Sequence, residues 1–223
     1  MRNELKGVIF DMDGVIVNSE PLHEKAFREV FAQIGLADRH GIDFSNYFGR
    51  SDKVLWVDFI AKHNPPHSFE ELAGWKQSRF IELLRREQPI YPLLPELVQE
   101  LAGRFPLAVA SGSLHATINE VLAIKDLRRF FSAVASSEDV SRSKPAPDVF
   151  LHAASLLGLP PESCCVIEDS EAGVEAGRAA GMTVIAITNS LGRDRLQRAH
   201  HIVTSYTEIP SLLPPSTQKG VKP

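Results

Sequence analysis

The chain has 223 residues, which is long enough for one large domain or for a core domain with a smaller partner. Its 43% hydrophobic and 23% charged residues are typical of a soluble globular protein, and a net charge of −4 provides no basic surface for nucleic acid. The apolar runs are too short to cross a membrane, and we expect neither a signal peptide nor a membrane anchor.

The most informative stretch follows the first apolar run, at residues 8–10. Asp11 and Asp13 leave this predicted strand two residues apart, so their side chains project to the same side, and Gly14 lets the backbone turn away. Two clustered acids repel each other unless a cation lies between them or they share acid and base work. One can attack phosphorus while the other transfers a proton. A helix cap or an Asx turn is the structural alternative.

Between the first strand and residue 107 the chain shows almost no strand pattern. The first helical pattern begins at Ser19 and ends at Gly35, and two others cover residues 52–62 and 68–87. Three prolines near residue 90 then mark the return to a sheet. We therefore predict an all-helical domain inserted after the first strand.

This insertion divides the chain into parts of different composition. We predict an α/β core formed by residues 1–17 and 89–213, a helical domain at 18–88, and a disordered tail at 214–223, which is polar and contains proline and glycine.

In the core, apolar runs rich in β-branched residues alternate with helical patterns. This alternation predicts a parallel sheet covered by helices on both faces. The predicted strands are residues 8–10, 107–110, 133–135, 164–167, 183–187 and 202–203, and the helices are 95–102, 115–124, 147–157 and 171–180. In the last helix Gly173, Gly177 and Gly181 recur every four residues, a ridge that predicts close packing on the sheet.

The cysteines, Cys164 and Cys165, are adjacent in the fourth predicted strand. Adjacent cysteines cannot form a disulfide framework, so we expect a reducing, cytoplasmic environment. Because the chain has no Cys-x-x-Cys spacing, we predict that both thiols pack in the strand and take no part in redox chemistry.

Further polar clusters follow the predicted strands or lie in their loops. Each has a structural alternative as a turn residue, a solvated lysine or a helix cap. Together, however, they emerge at the carboxyl edge of one parallel sheet, where α/β proteins bind ligands, and the start of the helix at residue 115 is a favourable anion site. The residues are Ser111, Gly112 and Ser113 after the second strand, Lys144 in a loop, and Glu168 and Asp169 at the end of the fourth strand.

These clusters, in this order, resemble the motifs of the haloacid dehalogenase superfamily of phosphotransferases. The resemblance covers the chain apart from its tail, and it is closest to the β-phosphoglucomutase-like branch, which contains many sugar-phosphate phosphatases. It implies that the inserted helices form a four-helix cap. It also implies a sheet with the first strand in the centre, flanked by the second and the fourth.

The resemblance implies a role for each acidic residue. Asp11 would attack the phosphoryl group and become an aspartyl-phosphate, while Asp13 would protonate the leaving oxygen and then take a proton from the incoming water or hydroxyl. Mg²⁺ would be held by the Asp11 carboxylate, the Asp13 backbone carbonyl and Asp169. Glu168 would ligate the metal directly or orient a metal-bound water.

The same resemblance implies how the phosphoryl group is held. Ser111, the backbone N–H of Gly112 and Ser113 would bind phosphate oxygens. Lys144 would offset the developing charge and restrain the Asp11 carboxylate.

Three residues of the insert are candidates for substrate contacts. His23 and Lys76 lie on apolar helical stripes, where a core histidine and a lysine extending to the edge are the structural alternatives. Both positions match cap residues that face the core site in β-phosphoglucomutase-like proteins. Arg50 is expected on the cap loop that faces the substrate, with a surface arginine as the alternative.

We therefore expect a Mg²⁺-dependent phosphatase for a small phosphorylated metabolite, with a sugar phosphate as the expected substrate. Asp13 argues against a dehalogenase, which needs no second acid, and the turn at Gly14 lacks the Gly-x-Gly-x-x-Gly of dinucleotide-binding enzymes. The first alternative is a β-phosphoglucomutase-type phosphomutase. In that enzyme the cap loop reads Gly-Val-Ser-Arg, whereas here Asp52 occupies the arginine position and would repel a second phosphate.

The second alternative is a catalytically idle metabolite-binding protein, although such relatives usually lose one catalytic acid. We expect a cytoplasmic monomer with a small-molecule substrate and neither a nucleic acid nor a membrane as partner.

Overall fold

The computed structural model describes residues 4–47 and 52–215, and the chain forms two compact units. The α/β unit comprises Met1–Val17 and Ile90–Pro223, and the helical unit comprises Asn18–Pro89. The predicted ends of the insert, residues 18 and 88, lie within one residue of the ends of the helical unit. The two units are described separately.

Three α-helices and one 3-10 turn form the described part of the helical unit. They are α1 Glu20–Gln33, the 3-10 turn Phe44–Asn46, α2 Asp52–His63 and α3 Phe69–Glu87. Gly35 follows α1 in the left-handed region, with φ of 78°, as its position at the predicted end requires. Ser19 occupies the N-cap position of α1, which agrees with the predicted start of the helix, although its side chain accepts no capping hydrogen bond. Ser68, in contrast, forms a complete capping box with Glu71 at the start of α3.

An aromatic cluster forms the core of the helical unit. Phe31 stacks on Phe59 with their ring centroids 4.4 Å apart, and Trp56 meets Phe27 at 5.0 Å. All four side chains are buried. The helices of this unit therefore have a hydrophobic core of their own.

A six-stranded parallel sheet forms the centre of the α/β unit, as the apolar runs predict. Its order among the described residues is β3-β2-β1-β4-β5-β6. The strands are β1 Gly7–Phe10, β2 Leu107–Ala110, β3 Ala133–Ala135, β4 Cys164–Glu168, β5 Thr183–Ile187 and β6 His201–Val203. All the pairings are parallel, and β1 lies between β2 and β4, which confirms the order implied by the resemblance.

Five α-helices accompany the sheet in the described part of this unit. They are α4 Leu94–Ala102, α5 His115–Ala123, α6 Asp148–Leu156, α7 Glu171–Ala179 and α8 Ile209–Leu212. No described helix in either unit combines the length and apolar character needed to span a bilayer.

The last described residues are held by Arg104, which donates to the backbone carbonyl of Pro214 at 2.8 Å. The predicted disorder therefore starts too early, because Pro214 is bound; residues 216–223 lie outside the described part.

Both cysteines are free and buried in β4, as predicted. Burial raises the pKa of the Cys164 thiol to about 11 and that of the Cys165 thiol to about 12. A thiol with so high a pKa stays protonated near neutral pH and is a poor nucleophile. These residues are therefore packing groups.

The glycines of α7 explain how closely this helix approaches the sheet. A β-carbon at Gly177 would lie 2.8 Å from a methyl group of Val184 in β5, and one at Gly173 would overlap the carboxylate of Glu168. Gly181 does not belong to this ridge: it follows the helix with φ of 75° and would meet nothing within 4 Å. The predicted ridge therefore consists of two glycines, and the third forms the turn after the helix.

This packing predicts a loss of stability on substitution at the ridge. Gly177→Val should lower the free energy of unfolding by about 1–3 kcal/mol, since extra methyl groups would overpack the interface with β5. The matched control is Gly74→Val in α3, where a β-carbon meets nothing within 4 Å, and the change should stay within about 0.5 kcal/mol. Urea unfolding measures both. Equal effects at the two positions would contradict the close packing of α7.

Candidate active site

The polar residues that follow β1, β2 and β4 meet at one edge of the sheet. Phe10, the last residue of β1, pairs with Val109 of β2 and with Ile167 of β4. The chain beyond each strand therefore emerges side by side. Asp11 continues the β1 ladder, because its N–H donates to the carbonyl of Ile167 at 2.9 Å, and Ser111 extends β2 in the same way toward Ala135, at 3.0 Å.

Lys144 joins two of the buried acids. Its Nζ donates to Oδ1 of Asp11 at 2.5 Å and to Oε1 of Glu168 at 2.8 Å, and the ammonium group also lies over the ring of Phe150. Burial alone would lower the pKa of Lys144, but the charges of Asp11 and Glu168 outweigh it and hold the pKa above its ordinary value. Lys144 is therefore a fixed positive charge, as predicted from the loop.

Asp11, Glu168 and Asp169 form a compact acidic cluster. Each offers one carboxylate oxygen, and these oxygens lie within 4.8 Å of one another. Burial raises the pKa of Asp11 to about 7, opposed by Lys144 and reinforced by Glu168 and Asp13. Burial also raises the pKa of Asp169 well above its ordinary value, with the charge of Glu168 as the second cause. Three buried carboxylates face one lysine, so the donor set fits a hard divalent cation that prefers oxygen ligands.

Glu168 is fixed from both sides of its carboxylate. Oε1 accepts from Lys144, while Oε2 accepts from the N–H groups of Asp169 and Ser170, both at 2.7 Å, and from the Ser170 hydroxyl at 2.9 Å. Gly173 leaves room for this arrangement, because a β-carbon there would lie 1.5 Å from Oε1. Glu168 thus positions Lys144 and the start of α7 together.

Asp13 is held by the hydroxyl groups after β2. Ser113 Oγ donates to Oδ2 of Asp13 at 2.9 Å, and Ser111 Oγ lies 3.5 Å from the same oxygen. Ser111 Oγ also accepts from the N–H of Ser113 at 3.0 Å. Gly112 lies between them and is exposed, with nothing within 4 Å of a β-carbon. The structure therefore brings both predicted hydroxyls to the second acid.

The start of α5 is only partly available as an anion site. The N–H of His115 donates to Oε2 of Glu138 at 2.6 Å, and the His115 ring pairs with Asp139. A carboxylate of the protein itself thus occupies the first N–H of the helix. The predicted anion site is therefore reduced by one donor at the helix start, because an internal acid already uses the N–H of His115.

Two residues of the loop after β5 were not predicted. Asn189 Nδ2 donates to the carbonyl of Gly14 at 2.7 Å, and the Ser190 side chain hydrogen-bonds to Asp169. Tyr206, in a short 3-10 turn after β6, donates to the carbonyl of Val15 at 2.6 Å. Position after a strand of the parallel sheet was the signal that could have indicated Asn189 and Ser190.

The helical unit contains a separate charged cluster. Lys76 is 1% exposed, and its Nζ donates to Oδ2 of Asp52 at 2.5 Å and contacts Nδ1 of His23. The ammonium group lies over the rings of Phe27 and Phe80, 5.0 and 4.8 Å from their centroids. Lys76 is therefore buried and paired, and the alternative of a lysine extending to the surface is wrong. The expected contact residue Arg50 lies outside the described residues.

Comparisons with known proteins establish the family. A model of the haloacid dehalogenase-like hydrolase family matches residues 5–181, which include Asp11, Asp13, Ser111, Lys144 and Asp169. The chain belongs to the haloacid dehalogenase-like hydrolase family.

Curated relatives of this hydrolase include phosphatases. It is 35% identical over 193 residues to fructose-1-phosphate phosphatase YqaB of Escherichia coli (strain K12), with 84% of this chain and 98% of that protein covered. It is 34% identical to hexitol phosphatase B of the same organism, with 82% and 84% covered. Among solved structures, β-phosphoglucomutase from Clostridium difficile is 25% identical with a TM-score of 0.76, covering 92% of this chain and 93% of that one.

The buried ion pairs of Lys144 predict that this residue contributes strongly to the free energy of unfolding of the hydrolase. Without added divalent cation, Lys144→Met should lower the free energy of unfolding by about 3–5 kcal/mol, because two buried carboxylates lose their partner. The control is Lys25→Met, which breaks an exposed pair with Glu87 of similar length, 2.7 Å, and should cost less than about 1 kcal/mol.

Urea unfolding provides both values. Adding Asp11→Asn to Lys144→Met should recover part of the loss, since one of the unpaired charges is removed. Similar costs for the two lysines would contradict the buried ion pair.

Proposed function

We propose that this hydrolase is a phosphatase that acts on a small phosphorylated metabolite, a sugar phosphate, through an aspartyl-phosphate on Asp11. The observation that supports this most directly is the second acid: Asp13 lies two residues after the nucleophile and is held by Ser113. A phosphate ester needs a proton on its leaving oxygen, whereas a halide does not. The phosphatase names of the two Escherichia coli relatives support the same substrate class.

The side chains divide the reaction between them. A carboxylate oxygen of Asp11 attacks phosphorus as the P–O ester bond breaks, and Asp13 gives its proton to the leaving oxygen. Water then attacks the aspartyl-phosphate, Asp13 takes a proton from that water, and inorganic phosphate and the Asp11 carboxylate are released. Lys144, held 2.5 Å from Asp11, fixes the orientation of the nucleophile and offsets negative charge on the phosphoryl oxygens.

We propose Mg²⁺ as the cofactor. The Asp11 carboxylate, the Asp13 backbone carbonyl, Asp169 and Glu168 would hold it, and the buried excess of carboxylates over lysine supports a divalent cation there. When bound, Mg²⁺ would supply positive charge that balances the acids and the phosphoryl oxygens.

Substrate contacts are proposed for two groups of residues. Ser111, the N–H of Gly112 and Ser113 are proposed to bind phosphate oxygens, which their place in the loop after β2 supports. For His23, Lys76 and Arg50 a contact with the organic part of the substrate is proposed on the resemblance alone.

The phosphomutase alternative is favoured by structural likeness to β-phosphoglucomutase. A mutase must hold a second phosphate while a bisphosphate intermediate turns round, which requires unpaired positive charge. Asp52 was expected to repel that phosphate directly, but in the structure its carboxylate pairs with Lys76. This pairing also disfavours binding of a second phosphate, because Asp52 neutralises the buried positive charge of Lys76. This pairing supports hydrolysis.

The remaining expectations concern the setting of the enzyme. A cytoplasmic location, a monomeric state and the absence of nucleic acid and membrane partners stay predictions from the sequence. The idle binding protein is disfavoured because every acid of the catalytic motif is present.

A direct assay separates the two enzymatic functions. With Mg²⁺, the protein should release phosphate from several sugar monophosphates. With β-glucose 1-phosphate and a trace of the 1,6-bisphosphate, free phosphate should form faster than glucose 6-phosphate. Asp11→Asn should lose at least about 100-fold in kcat, since an amide is a poor nucleophile of similar shape. Faster formation of glucose 6-phosphate would identify a mutase, and substantial activity of folded Asp11→Asn would exclude the nucleophile assignment.

The acidic cluster predicts a second result, on metal dependence. EDTA should abolish turnover, and Ca²⁺ should inhibit because its larger and looser coordination disturbs the in-line geometry. Asp169→Ala should raise the Mg²⁺ concentration for half-maximal activity by at least about 10-fold, since a charged oxygen ligand is lost. Glu171→Ala is the matched control: it removes, two residues after Asp169, an exposed carboxylate that pairs with Arg195, and it should change this concentration little. Full activity in EDTA would refute the metal site.

A further inference from the structure

Two side chains from the end of the α/β unit bind the turn that follows Asp13. Asn189 Nδ2 donates to the carbonyl of Gly14 at 2.7 Å, and the Tyr206 hydroxyl donates to the carbonyl of Val15 at 2.6 Å. These carbonyls belong to consecutive residues. The turn is therefore held by side chains as well as by its own backbone hydrogen bonds, such as that from the Gly14 N–H to the Val17 carbonyl.

The hydrogen-bond donors of this pair are fully used. The amide nitrogen of Asn189 carries two hydrogens, and it donates one to Gly14 and one to the Tyr206 oxygen at 2.7 Å. Tyr206 has one hydroxyl proton, which goes to Val15. Burial raises the pKa of Tyr206 well above its ordinary value, so the phenol keeps this proton. The two hydrogen bonds therefore run in one direction: Asn189 donates to the Tyr206 oxygen, and Tyr206 donates to the carbonyl of Val15.

The turn has little space in which to shift. Gly14 has φ of 80°, and a β-carbon there would lie 1.8 Å from Oδ2 of Asp169 and 2.7 Å from Oγ of Ser190. The backbone after Asp13 therefore lies directly against an acid of the cluster. A small displacement of this turn would change the position of Asp13 relative to the reacting groups.

We propose that Asn189 and Tyr206 are positioning residues for the general acid Asp13, which they fix by binding the carbonyls of the two residues after it. This inference rests on the proposed phosphatase function. Neither residue touches the reacting atoms: the proton that moves to the leaving oxygen as the P–O bond breaks comes from Asp13. Asn189 and Tyr206 act by fixing the position of the Asp13 carboxyl group that carries this proton.

A misplaced acid and a generally damaged site affect different substrates. An alkyl phosphate releases an alkoxide, which needs a proton as the ester bond breaks. A nitrophenyl phosphate releases a stable phenolate, which needs almost no help from an acid. Loss of acid positioning therefore slows the alkyl ester selectively, whereas damage to the nucleophile, the metal site or the fold slows both esters.

The experiment compares kcat/KM for glycerol 2-phosphate and 4-nitrophenyl phosphate, because this parameter includes the step in which the leaving group departs. Tyr206→Phe, which removes one oxygen, should lose at least about 10-fold with the alkyl ester and less than about 3-fold with the aryl ester. Asp13→Asn should show the same selectivity to a larger extent. Tyr47→Phe, which removes the hydroxyl that donates to Asp58 in the helical unit, should leave the ratio unchanged.

Asn189→Ala provides a second variant with the same expected selectivity, and it decides the question if Tyr206→Phe does not fold. Equal losses for the two esters in a folded variant, or no loss, would overturn the positioning role while leaving the phosphatase function intact. Failure of the wild-type protein to hydrolyse these two esters and the sugar monophosphates would overturn the proposed function, and this inference with it.

Discussion

The ammonium group of Lys144, held between Asp11 and Glu168, is the interaction on which the rest of the site depends. Three buried carboxylates each place an oxygen within 4.8 Å of the others, and burial together with the charge of Glu168 raises the pKa of both Asp11 and Asp169. The positive charge of Lys144 offsets part of the repulsion between these carboxylates inside the fold. Its position requires Glu168 to point inward, and the carboxylate of Glu168 then occupies the space of a β-carbon at residue 173. The need to balance the charge of Lys144 with Glu168 therefore explains why residue 173 of α7 is a glycine.

Much of the α/β fold could be predicted because its signals are local. Each apolar run of the core became a strand, with ends within one residue of those predicted, since strands buried on both faces need continuous apolar residues. The order of the strands is different: alternation predicts that they are parallel, but only the resemblance placed the first strand in the centre. Once the order is known, the meeting of Asp11, Ser111 and Glu168 follows from parallel geometry alone.

Contacts between distant polar groups could not be predicted. The carbonyls of Gly14 and Val15 carry no sequence signal, so nothing indicated that Asn189 and Tyr206 would bind them. The burial of Lys76 depends in the same way on Asp52, a residue of another helix whose position relative to it no periodicity gives. Such contacts depend on tertiary structure, whereas the helical and strand patterns report only which face of an element is buried.

The central position of β1 also determines when the site is completed during synthesis. Asp11 and Lys144 are 133 residues apart in the chain, and Val15 and Tyr206 are 191 residues apart. The first strand therefore leaves the ribosome long before its neighbours, and its buried residues have no sheet to join until β2 and β4 follow. Contacts of such long range form late and slowly. The turn beside the nucleophile is synthesised 191 residues before Tyr206, and it acquires its last hydrogen bond only when Tyr206 has emerged.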